Sequence, residues 1–285
     1  MLFKFGVRLG MSALALGLSL VTGATYAQDA KKVIKAATIT NYPPYTFKDT
    51  KSGELMGFEH DLFNAMAKKV GATVKWSEFS FADLASFAPL KTGRVDIYGG
   101  AAMTDTPERR ENGVSMIDYV YEPLVFFTLK TNSDQFGASD ALCGKRVGSS
   151  RGSTVQTALI NRWSEENCLK NGQPAVVVVP SENTPAAISM LKQGRVDAAN
   201  TGGGSLSHLN EGDIFITLGK PMHKNMYGMA YLNGSKDLGE ALKKALDELI
   251  ADGTYAQLLQ KWGLPLEDSS IGQTSSINAG QSLPK

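Results

Sequence analysis

The sequence predicts an α/β fold with parallel sheets flanked by helices, in which one α/β unit is used twice, once in each of two lobes. Two observations predict it. Strand-like and helix-like patterns alternate along the chain, which favours parallel sheets with helical crossovers. A seven-residue pattern also recurs 101 residues apart, as "LKTGRVD" at 90–96 and as "LKQGRVD" at 191–197.

Both copies of this pattern occur in the same context. In each, an apolar-faced helix ends at a lysine, a glycine supplies the left-handed residue that closes it, and Arg-Val-Asp opens a short buried strand. The strand reads "VDIYGG" in the first copy and "VDAANTGG" in the second. The shared context makes a chance match less credible than a repeated unit.

The remaining elements follow from hydrophobic periodicity and from glycine and proline punctuation. The polar tail after 266, rich in Ser, Gly, Asn and Gln, is predicted to be disordered. The predicted strands are 33–39, 73–76, 145–148 and 176–179, and the predicted helices are 59–70, 81–92, one from Thr154, one from Thr184, 238–251, and a short one that ends at Trp262.

The first 27 residues have the pattern of an export signal. Lys4 and Arg8 precede an apolar run at 9–21, and small residues at Thr25 and Ala27 predict cleavage after Ala27. The apolar run is too short for a membrane span, and no cysteine near the cleavage site could carry a lipid. We therefore expect an exported, soluble mature chain.

The charge balance bears on the class of partner. Removing Lys4 and Arg8 from the 29 Lys and Arg leaves 27 against 28 Asp and Glu. A nearly neutral chain argues against nucleic acid or an anionic membrane as the main partner. The mature length of about 258 residues suits one large domain or two lobes of ordinary size.

The two cysteines, Cys143 and Cys168, lie 25 residues apart. In an exported protein such a pair predicts a disulfide, worth roughly 3 kcal/mol in the chain-entropy model. Two free buried thiols are the alternative. The three histidines, His60, His208 and His223, are scattered, so we expect neither a metal site nor a metal cofactor.

Three stretches follow strands, where open α/β sheets bind ligands. In the first, "TNYPPYTFKD" at 40–49, two prolines stop the strand and hold three aromatic residues on a stiff turn. Tyr42, Tyr45 and Phe47 could form the wall of a ligand site or a lid over the core. The turn alone does not decide between them.

The second stretch, "GGAAMTDTPERR", places small residues before a predicted helix capped by Thr106. Arg109 lies in the first helical turn, where the helix dipole is already positive. It would be favoured there if it faced a bound carboxylate as a bidentate partner. A solvated arginine paired with Glu108 or Glu111 is the alternative.

The third stretch, "SSRGSTVQTAL", leads from a strand through Gly152, Ser153 and Thr154 into a helix. Backbone N–H groups and two hydroxyls would point at an anion, although a plain N-cap has the same pattern. Residues 148–152 also spell G-x-S-x-G, the nucleophile elbow of α/β hydrolases, with His208 or His223 as partner. The repeat and the Arg109 stretch have no role in a hydrolase.

Taken together, four segments resemble the family 3 bacterial solute-binding proteins, the periplasmic receptors of polar amino-acid ABC transporters. They are "YPPYTF…GELMGFEHDLFNAMAKKVG", "LKTGRVDIYGGAAMTDTPER", "GKRVGSSRGST" and "LKQGRVDA". The resemblance implies two α/β lobes joined by two hinge strands, which close around a ligand. The stiff aromatic turn is then interpreted as a wall of the cleft, with Tyr45 packed inward.

The resemblance also implies domain boundaries. Lobe 1 is discontinuous, because the chain crosses to lobe 2 near 124–130 and returns near 224–231. The boundaries are a signal peptide at 1–27, lobe 1 at 33–125 and 228–264, lobe 2 at 126–227, and a disordered tail at 265–285.

The site residues are implied position by position. Arg109 matches the residue that holds the α-carboxylate, with Arg110 as a competitor because the segment carries one extra residue. Tyr42 and Phe81 match aromatic walls. The full set of expected ligand-binding residues is Tyr42, Phe81, Ala102, Thr104, Arg109, Arg151, Ser153, Thr154, Thr201 and Gly202.

One departure from the family pattern concerns the ligand's α-ammonium. The family usually places an aspartate a few residues after "GRVDA", and Gly202 stands at that position here. Either Glu182 or Asp105 replaces the acid, or the ligand is a carboxylate without a free α-amine. Arg151 adds positive charge that would suit a second acidic group.

The implied function is that of a periplasmic binding protein, not an enzyme, with no cofactor. It would be a monomer that captures a small carboxylate or amino-acid-like ligand and delivers it to an ABC permease in the inner membrane. An exported enzyme of the cyclohexadienyl dehydratase kind, which needs a pocket acid or base as well, is one alternative. A ligand-loaded partner of a membrane sensor is the other.

Overall fold

The structure is a computed structural model that describes residues 1–3, 6, 32–136, 139–210 and 212–282. The predicted cleavage site after Ala27 and nearly all of the expected signal lie outside these residues. No helix in the described part of the chain is long and apolar enough to span a membrane. Lys31–Lys285 forms one compact unit.

The alternation of strands and helices agrees with the sequence prediction to within a few residues at most ends. The strands are β1 (Lys32–Thr38), β2 (Asn41–Tyr42), β3 (Thr46–Lys48), β4 (Leu55–Met56), β5 (Ala72–Glu78), β6 (Ile97–Gly100), β7 (Val114–Leu129), β8 (Arg146–Ser150), β9 (Val177–Ser181), β10 (Ala198–Gly202), β11 (Phe215–Leu232) and β12 (Ser276–Ile277).

The helices pack on the faces of the sheet, and their apolar residues form the core together with those of the strands. They are α1 (Phe58–Lys69), α2 (Phe81–Ala85), α3 (Ala88–Lys91), α4 (Pro107–Arg110), α5 (Thr154–Asn167), α6 (Thr184–Lys192), α7 (Gly203–Leu209), α8 (Lys236–Ala251), α9 (Thr254–Lys261) and α10 (Leu266–Ser269).

The main sheet confirms the predicted α/β class. Among the described residues its strand order is β5-β1-β6-β11-β7-β10-β8-β9, with β12 added on β7. β1 pairs in parallel with β5 and β6, and β8 pairs in parallel with β9 and β10. The long antiparallel strands β7 and β11 join these two parallel halves. A small sheet, β2-β3-β4, carries the aromatic turn.

The neighbours of β7 change along its length. Near its start, Ile117 and Asp118 pair with β12, whereas Leu124 to Phe127 pair with β10. Separate hydrophobic clusters lie on the two sides, one around Phe63 and others around Phe126 and Phe127. Along β7 the chain therefore passes between 118 and 124 from the half of the sheet that contains β12 to the half that contains β10. The boundaries of the two lobes, 33–125 with 228–264 and 126–227, remain a prediction.

The repeated pattern folds in the same way in both halves. Gly93 and Gly194 have the same left-handed φ of 68°. Gly93 N–H donates to Leu90 at 3.0 Å, and Gly194 N–H donates to Leu191 at 3.1 Å. These bonds close α3 and α6 as a left-handed glycine cap does.

The aspartate that ends each copy also has one role. Asp96 accepts a 2.8 Å hydrogen bond from the backbone N–H of Lys35 on the neighbouring parallel strand. Asp197 accepts the equivalent bond from Arg146 N–H, also at 2.8 Å. The repeat is thus one structural unit, which ends a helix and pins the next strand to its neighbour.

One predicted helix, at 81–92, is wrong as a single element. The chain forms α2 and α3 instead, separated by Phe87, whose φ is 57°. The reason is Pro89, which would clash with the carbonyl of Ala85 in a continuous helix. The break turns Phe87 inward, where its ring stacks on Tyr98 at 5.9 Å.

The expectation of a disordered tail is wrong for 266–282. After α10 the chain runs back along β7, and β12 pairs with Ile117 and Asp118. We call residues 275–280 the C-terminal strap. Its polar composition suggested disorder, but its donors meet acids buried elsewhere in the fold. Residues 283–285 lie outside the described part.

The predicted disulfide is confirmed. Cys143 and Cys168 are bonded, with Cα atoms 5.5 Å apart. Cys168 is fully buried in the cluster that also contains Phe126 and Val147. The bond therefore ties the end of α5 to the segment before β8.

Candidate functional site

A cavity of about 240 Å³ lies at the carboxyl ends of five parallel strands. The segments that follow β1, β5, β6, β8 and β9 form it, together with β11. At about 30 Å³ per water molecule it has room for roughly eight, which is the size range of an amino acid. Its lining residues are Ile39, Asn41, Tyr42, Ser80, Phe81, Ala82, Ala102, Thr104, Ser150, Arg151, Ser153, Gln156, Glu182, Asn183, Thr184 and Tyr227.

Six of the ten expected ligand-binding residues line this cavity. They are Tyr42, Phe81, Ala102, Thr104, Arg151 and Ser153. Arg109, Thr154, Thr201 and Gly202 do not line it, and their positions are described below.

The apolar wall of the cavity is formed by two predicted aromatic residues, Tyr42 and Phe81, and by Tyr227, which was not predicted. Tyr42 leaves the sheet on the stiff turn, and its hydroxyl lies 3.3 Å from that of Tyr227 on β11. Phe81 begins α2, directly after the capping residue Ser80. Phe47 takes no part, because its ring packs edge-on against Trp262.

Arg109 lies next to the Phe81 ring of this wall. It is 8% exposed, and its guanidinium carbon is 5.8 Å from the centre of the Phe81 ring. One guanidinium nitrogen donates to the backbone carbonyl of Thr104 at 2.7 Å. Among the described residues no carboxylate forms a salt bridge with Arg109, although a guanidinium carries five N–H donors. Burial lowers the pKa of Arg109 to about 10, so the side chain stays charged at neutral pH.

The competitor, Arg110, is engaged elsewhere. Its guanidinium donates to both carboxylate oxygens of Asp105 at 2.7 Å. A second nitrogen donates to the carbonyl of Gly280 at 3.0 Å. Asp105 is therefore neutralised by Arg110 and lies away from the cavity, which removes it as the replacement for the missing acid.

Of the two hydroxyl residues predicted in the loop after β8, Ser153 lines the cavity and Thr154 does not. Gly152 adopts a φ of 82°, and Ser153 is the N-cap of α5 but makes no side-chain capping bond. The Ser153 hydroxyl is thus available to a ligand. Thr154 is exposed and does not line the cavity, contrary to the expectation.

Two opposite charges face the cavity from the second half of the chain. Arg151 follows β8, and Glu182 follows β9. Neither forms a salt bridge within the part of the chain that the structure describes. Of the two acids considered as replacements for the missing aspartate, Glu182 is the one that lines the cavity.

The position of the missing acid is buried behind Tyr42. Gly202 N–H donates to the Tyr42 hydroxyl at 3.1 Å, and Thr201 is fully buried beside it. A Cβ atom at Gly202 would overlap the carboxyl group of Glu122. The space that a side chain at this position would fill is therefore occupied by an acid from β7.

Glu122 was not found by the sequence analysis. It is fully buried, and it accepts hydrogen bonds from the Tyr45 hydroxyl and from Gly204 N–H, the latter at 3.1 Å. Burial raises the pKa of Glu122 to about 8, so the group is mostly neutral at pH 7. The available signal was an acid inside the apolar run "YVYEPLVFF", where a strand has no exposed face.

A second buried acid supports the cavity wall. Glu59 on α1 accepts hydrogen bonds from the Tyr119 hydroxyl and from Ala102 N–H, the latter at 3.2 Å. Ala102 has a φ of 45°, which a residue with a side chain rarely adopts, and it lines the cavity. Glu59 thus fixes a strained backbone position against the ligand space. Burial raises the pKa of Glu59 to about 7.

Three buried carboxyls, Glu59, Asp118 and Glu122, predict how stability depends on pH. Burial raises the pKa values of Glu59 and Glu122 to about 7 and about 8 and also raises the pKa of Asp118, against about 4 in an unfolded chain. Between those limits the folded state binds more protons, so the free energy of unfolding should fall from about pH 5 to about pH 8. The slope is roughly 1.4 kcal/mol per pH unit for each proton retained. Urea unfolding at several pH values measures it, and Glu122→Gln should flatten it. A stability that rises over this range would contradict the assignment.

Other candidate sites receive no support. Ser150 of the G-x-S-x-G pattern lines the cavity, but His208 packs on Phe47 and neither His208 nor His223 lines the cavity.

No group of His, Cys, Asp or Glu suited to a metal ion occurs among the described residues. A larger, open depression of about 630 Å³ lies beside α2 and α3. Its polar groups, including Ser80 and Asp83, already bond to each other.

Comparison with known proteins gives a consistent result. Residues 34–265 match a family model described as "Bacterial extracellular solute-binding proteins, family 3", and the C-terminal strap lies beyond the matched segment. A relative from Escherichia coli (strain K12), "Putative ABC transporter arginine-binding protein 2", is 26% identical over 250 residues, which are 86% of this chain and 96% of the relative.

Two solved structures show the same fold. "An ancestral arginine-binding protein bound to arginine" has a TM-score of 0.70 and 29% identity, and the match covers 81% of this chain and 97% of that one. "Crystal structure of the ancestral amino acid-binding protein AncCDT-1, a precursor of cyclohexadienyl dehydratase" has a TM-score of 0.69 and 26% identity, with 81% and 95% covered.

Proposed function

Because the chain belongs to the bacterial extracellular solute-binding proteins of family 3, we propose that it captures a small amino-acid-like carboxylate in its cavity and delivers it to an ABC importer. The ligand lies between two lobes, 33–125 with 228–264 and 126–227. The protein acts as a monomer in the periplasm after cleavage behind Ala27. The disulfide between Cys143 and Cys168 suits that oxidising compartment.

The observation that carries this proposal is the state of Arg109. A buried guanidinium without an acidic partner is costly, and the pairing that removes the cost is a carboxylate. Thr104 holds the Arg109 side chain in place, and Ser153 offers its free hydroxyl from the other half. An anionic group between Arg109 and Ser153 completes the site.

The other charges define the rest of the ligand. Arg151 and Glu182 line the cavity, and neither forms a salt bridge with another described residue, so the ligand carries a polar or charged group that reaches them. Relatives named for arginine suggest a cationic side chain, for which Glu182 is the acid. L-arginine is therefore the first probe.

The α-amine has no strong partner in this arrangement. Gly202 has no side chain, Asp105 is bound to Arg110, and Glu122 is mostly neutral at pH 7 and already hydrogen-bonded. An ammonium group in the closed cleft would then lose its hydration without gaining an ion pair that compensates for it. Recognition depends on the carboxylate and the side chain.

The experiment compares L-arginine with 5-guanidinopentanoate, its analogue without the α-amine. Calorimetry on one preparation should give dissociation constants within about tenfold of each other. If L-arginine binds a hundredfold tighter, the amine has a strong partner, and Glu182→Gln is the variant that identifies it. A thermal-shift panel of carboxylates and amino acids comes first, because a ligand at 100 times its Kd stabilises by roughly 2.7 kcal/mol. If no carboxylate stabilises the protein, the proposed function is wrong.

Binding without turnover is the second part of the proposal. A dehydratase on this fold needs an acid or base that reaches the ligand, and the acid that lines the cavity, Glu182, is exposed. Glu59 and Glu122 are fully buried and hydrogen-bonded to tyrosines. Prephenate, arogenate or L-arginine incubated with the protein should be recovered unchanged by mass spectrometry, and a product would favour the enzyme.

A further inference from the structure

The C-terminal strap donates hydrogen bonds to two buried acids, Asp105 and Asp118. Gly280 N–H donates to Asp105 at 2.7 Å. Ala279 N–H and the Ser276 hydroxyl both donate to Asp118 at 2.8 Å. These acids lie on different elements, since Asp105 precedes α4 and Asp118 lies on β7. The strap therefore connects the loop before α4 to the long strand.

Arg110 contacts both Asp105 and the strap. Its guanidinium donates to Asp105 and to the carbonyl of Gly280, so the acid and the strap share one cation. A Cβ atom at Gly280 would overlap the backbone carbonyl of Asp105. The close approach thus requires glycine at this position of the strap.

We propose that the strap is a positioning element for the carboxylate anchor, which holds Asp105 and Arg110 so that Arg109 points at the ligand. The inference rests on the proposed function. Asp105 lies between two residues that fix the anchor. The carbonyl of Thr104 accepts the hydrogen bond from the Arg109 guanidinium, and the Thr106 hydroxyl accepts one from Arg109 N–H.

The physical reason is the proximity of two buried carboxyls, Asp105 and Asp118. Asp105 and Asp118 are neighbours, and burial together with the charge of Asp105 raises the pKa of Asp118. Three strap donors and Arg110 compensate the pair. Without the strap, Arg110 remains alone against two carboxyls, and their repulsion favours movement of the loop at 104–106. Such movement disturbs the two hydrogen bonds that hold Arg109, to Thr104 and Thr106.

A purely stabilising role is the competing explanation. Ser275 donates to Asp247 on α8 at 2.7 Å, so the strap is also anchored away from the cavity. A simple stabiliser would lower the free energy of unfolding and leave the intrinsic affinity of the folded protein unchanged. The tests therefore measure affinity and loop protection at a temperature where every variant is folded.

The first test is calorimetry with L-arginine on a chain that ends at Thr274. We expect Kd to rise at least about tenfold. Gly280→Val tests the same contact with the remaining strap present, and it should shift Kd in the same direction. The exposed Gln281→Ala is the matched control and should bind like the wild type. Unchanged affinity in both folded variants would overturn the proposal.

The second test asks whether the strap acts through Arg110. Arg110→Ala should weaken binding in the full-length chain, and it should add little in the chain that ends at Thr274. Non-additivity of this kind identifies residues that work as one unit. Fully additive effects on Kd would show that the strap does not act through Arg110.

The third test needs no ligand. Hydrogen exchange at the Asp105 and Arg109 amides should become at least about tenfold faster without the strap, while amides of β8 and β9 keep their protection. Unchanged exchange at both amides would overturn the proposal. If L-arginine fails to bind the wild type, the ligand assignment fails, and this measurement still decides the role of the strap.

Discussion

Replacing Arg109 with alanine should weaken the binding of L-arginine by at least about tenfold, and by about a hundredfold if two charge-assisted hydrogen bonds are lost. The fold should survive, because the guanidinium makes one described hydrogen bond, to Thr104. Calorimetry gives the affinity, and urea unfolding shows that the variant is folded.

The ligand itself provides the sharpest control for this variant. Agmatine is arginine without the carboxylate, so Arg109→Ala should have little effect on its weaker binding. Arg94→Ala is the matched protein control, since Arg94 lies over Phe79 and outside the cavity. Equal losses for L-arginine and agmatine would show that Arg109 does not contact the carboxylate. If Arg110→Ala abolishes binding while Arg109→Ala does not, the anchor lies one residue further along.

Replacing Gly202 with aspartate should destabilise the protein by roughly 3 kcal/mol or more. The new side chain would overlap the Glu122 carboxyl and bring two acids into contact in a fully buried region. Urea unfolding measures the loss. Gly234→Asp is the matched control, because nothing lies near a Cβ atom at that glycine.

A second substitution tests the cause of that loss. Adding Glu122→Ala to Gly202→Asp removes the overlap, so most of the lost stability should return. The double variant should also bind L-arginine more tightly than 5-guanidinopentanoate by a larger factor than the wild type does. If Gly202→Asp is as stable as the wild type, Glu122 does not occupy this space in solution.

Features that depend on neighbouring residues could be predicted from the sequence. The caps at Gly93 and Gly194, the Thr106 cap and the strand-to-helix loop at Ser153 each follow from a few adjacent residues. The disulfide followed because an exported chain with two cysteines has one possible internal pairing. The break between α2 and α3 also depends on a nearby residue, because Pro89 cannot continue the preceding helix.

Contacts between distant residues were decided by the tertiary structure. By sequence, Arg109 is the expected anchor and Arg110 its competitor. Only the fold shows that Arg110 pairs with Asp105 and with the carbonyl of Gly280. Glu122 and Gly202 are 80 residues apart, so nothing local shows that one fills the space beside the other. The polar tail is ordered because Asp105 and Asp118 receive its donors. Periodicity and capping fix elements within a few residues, whereas the pairing of buried charges depends on which elements the fold brings together.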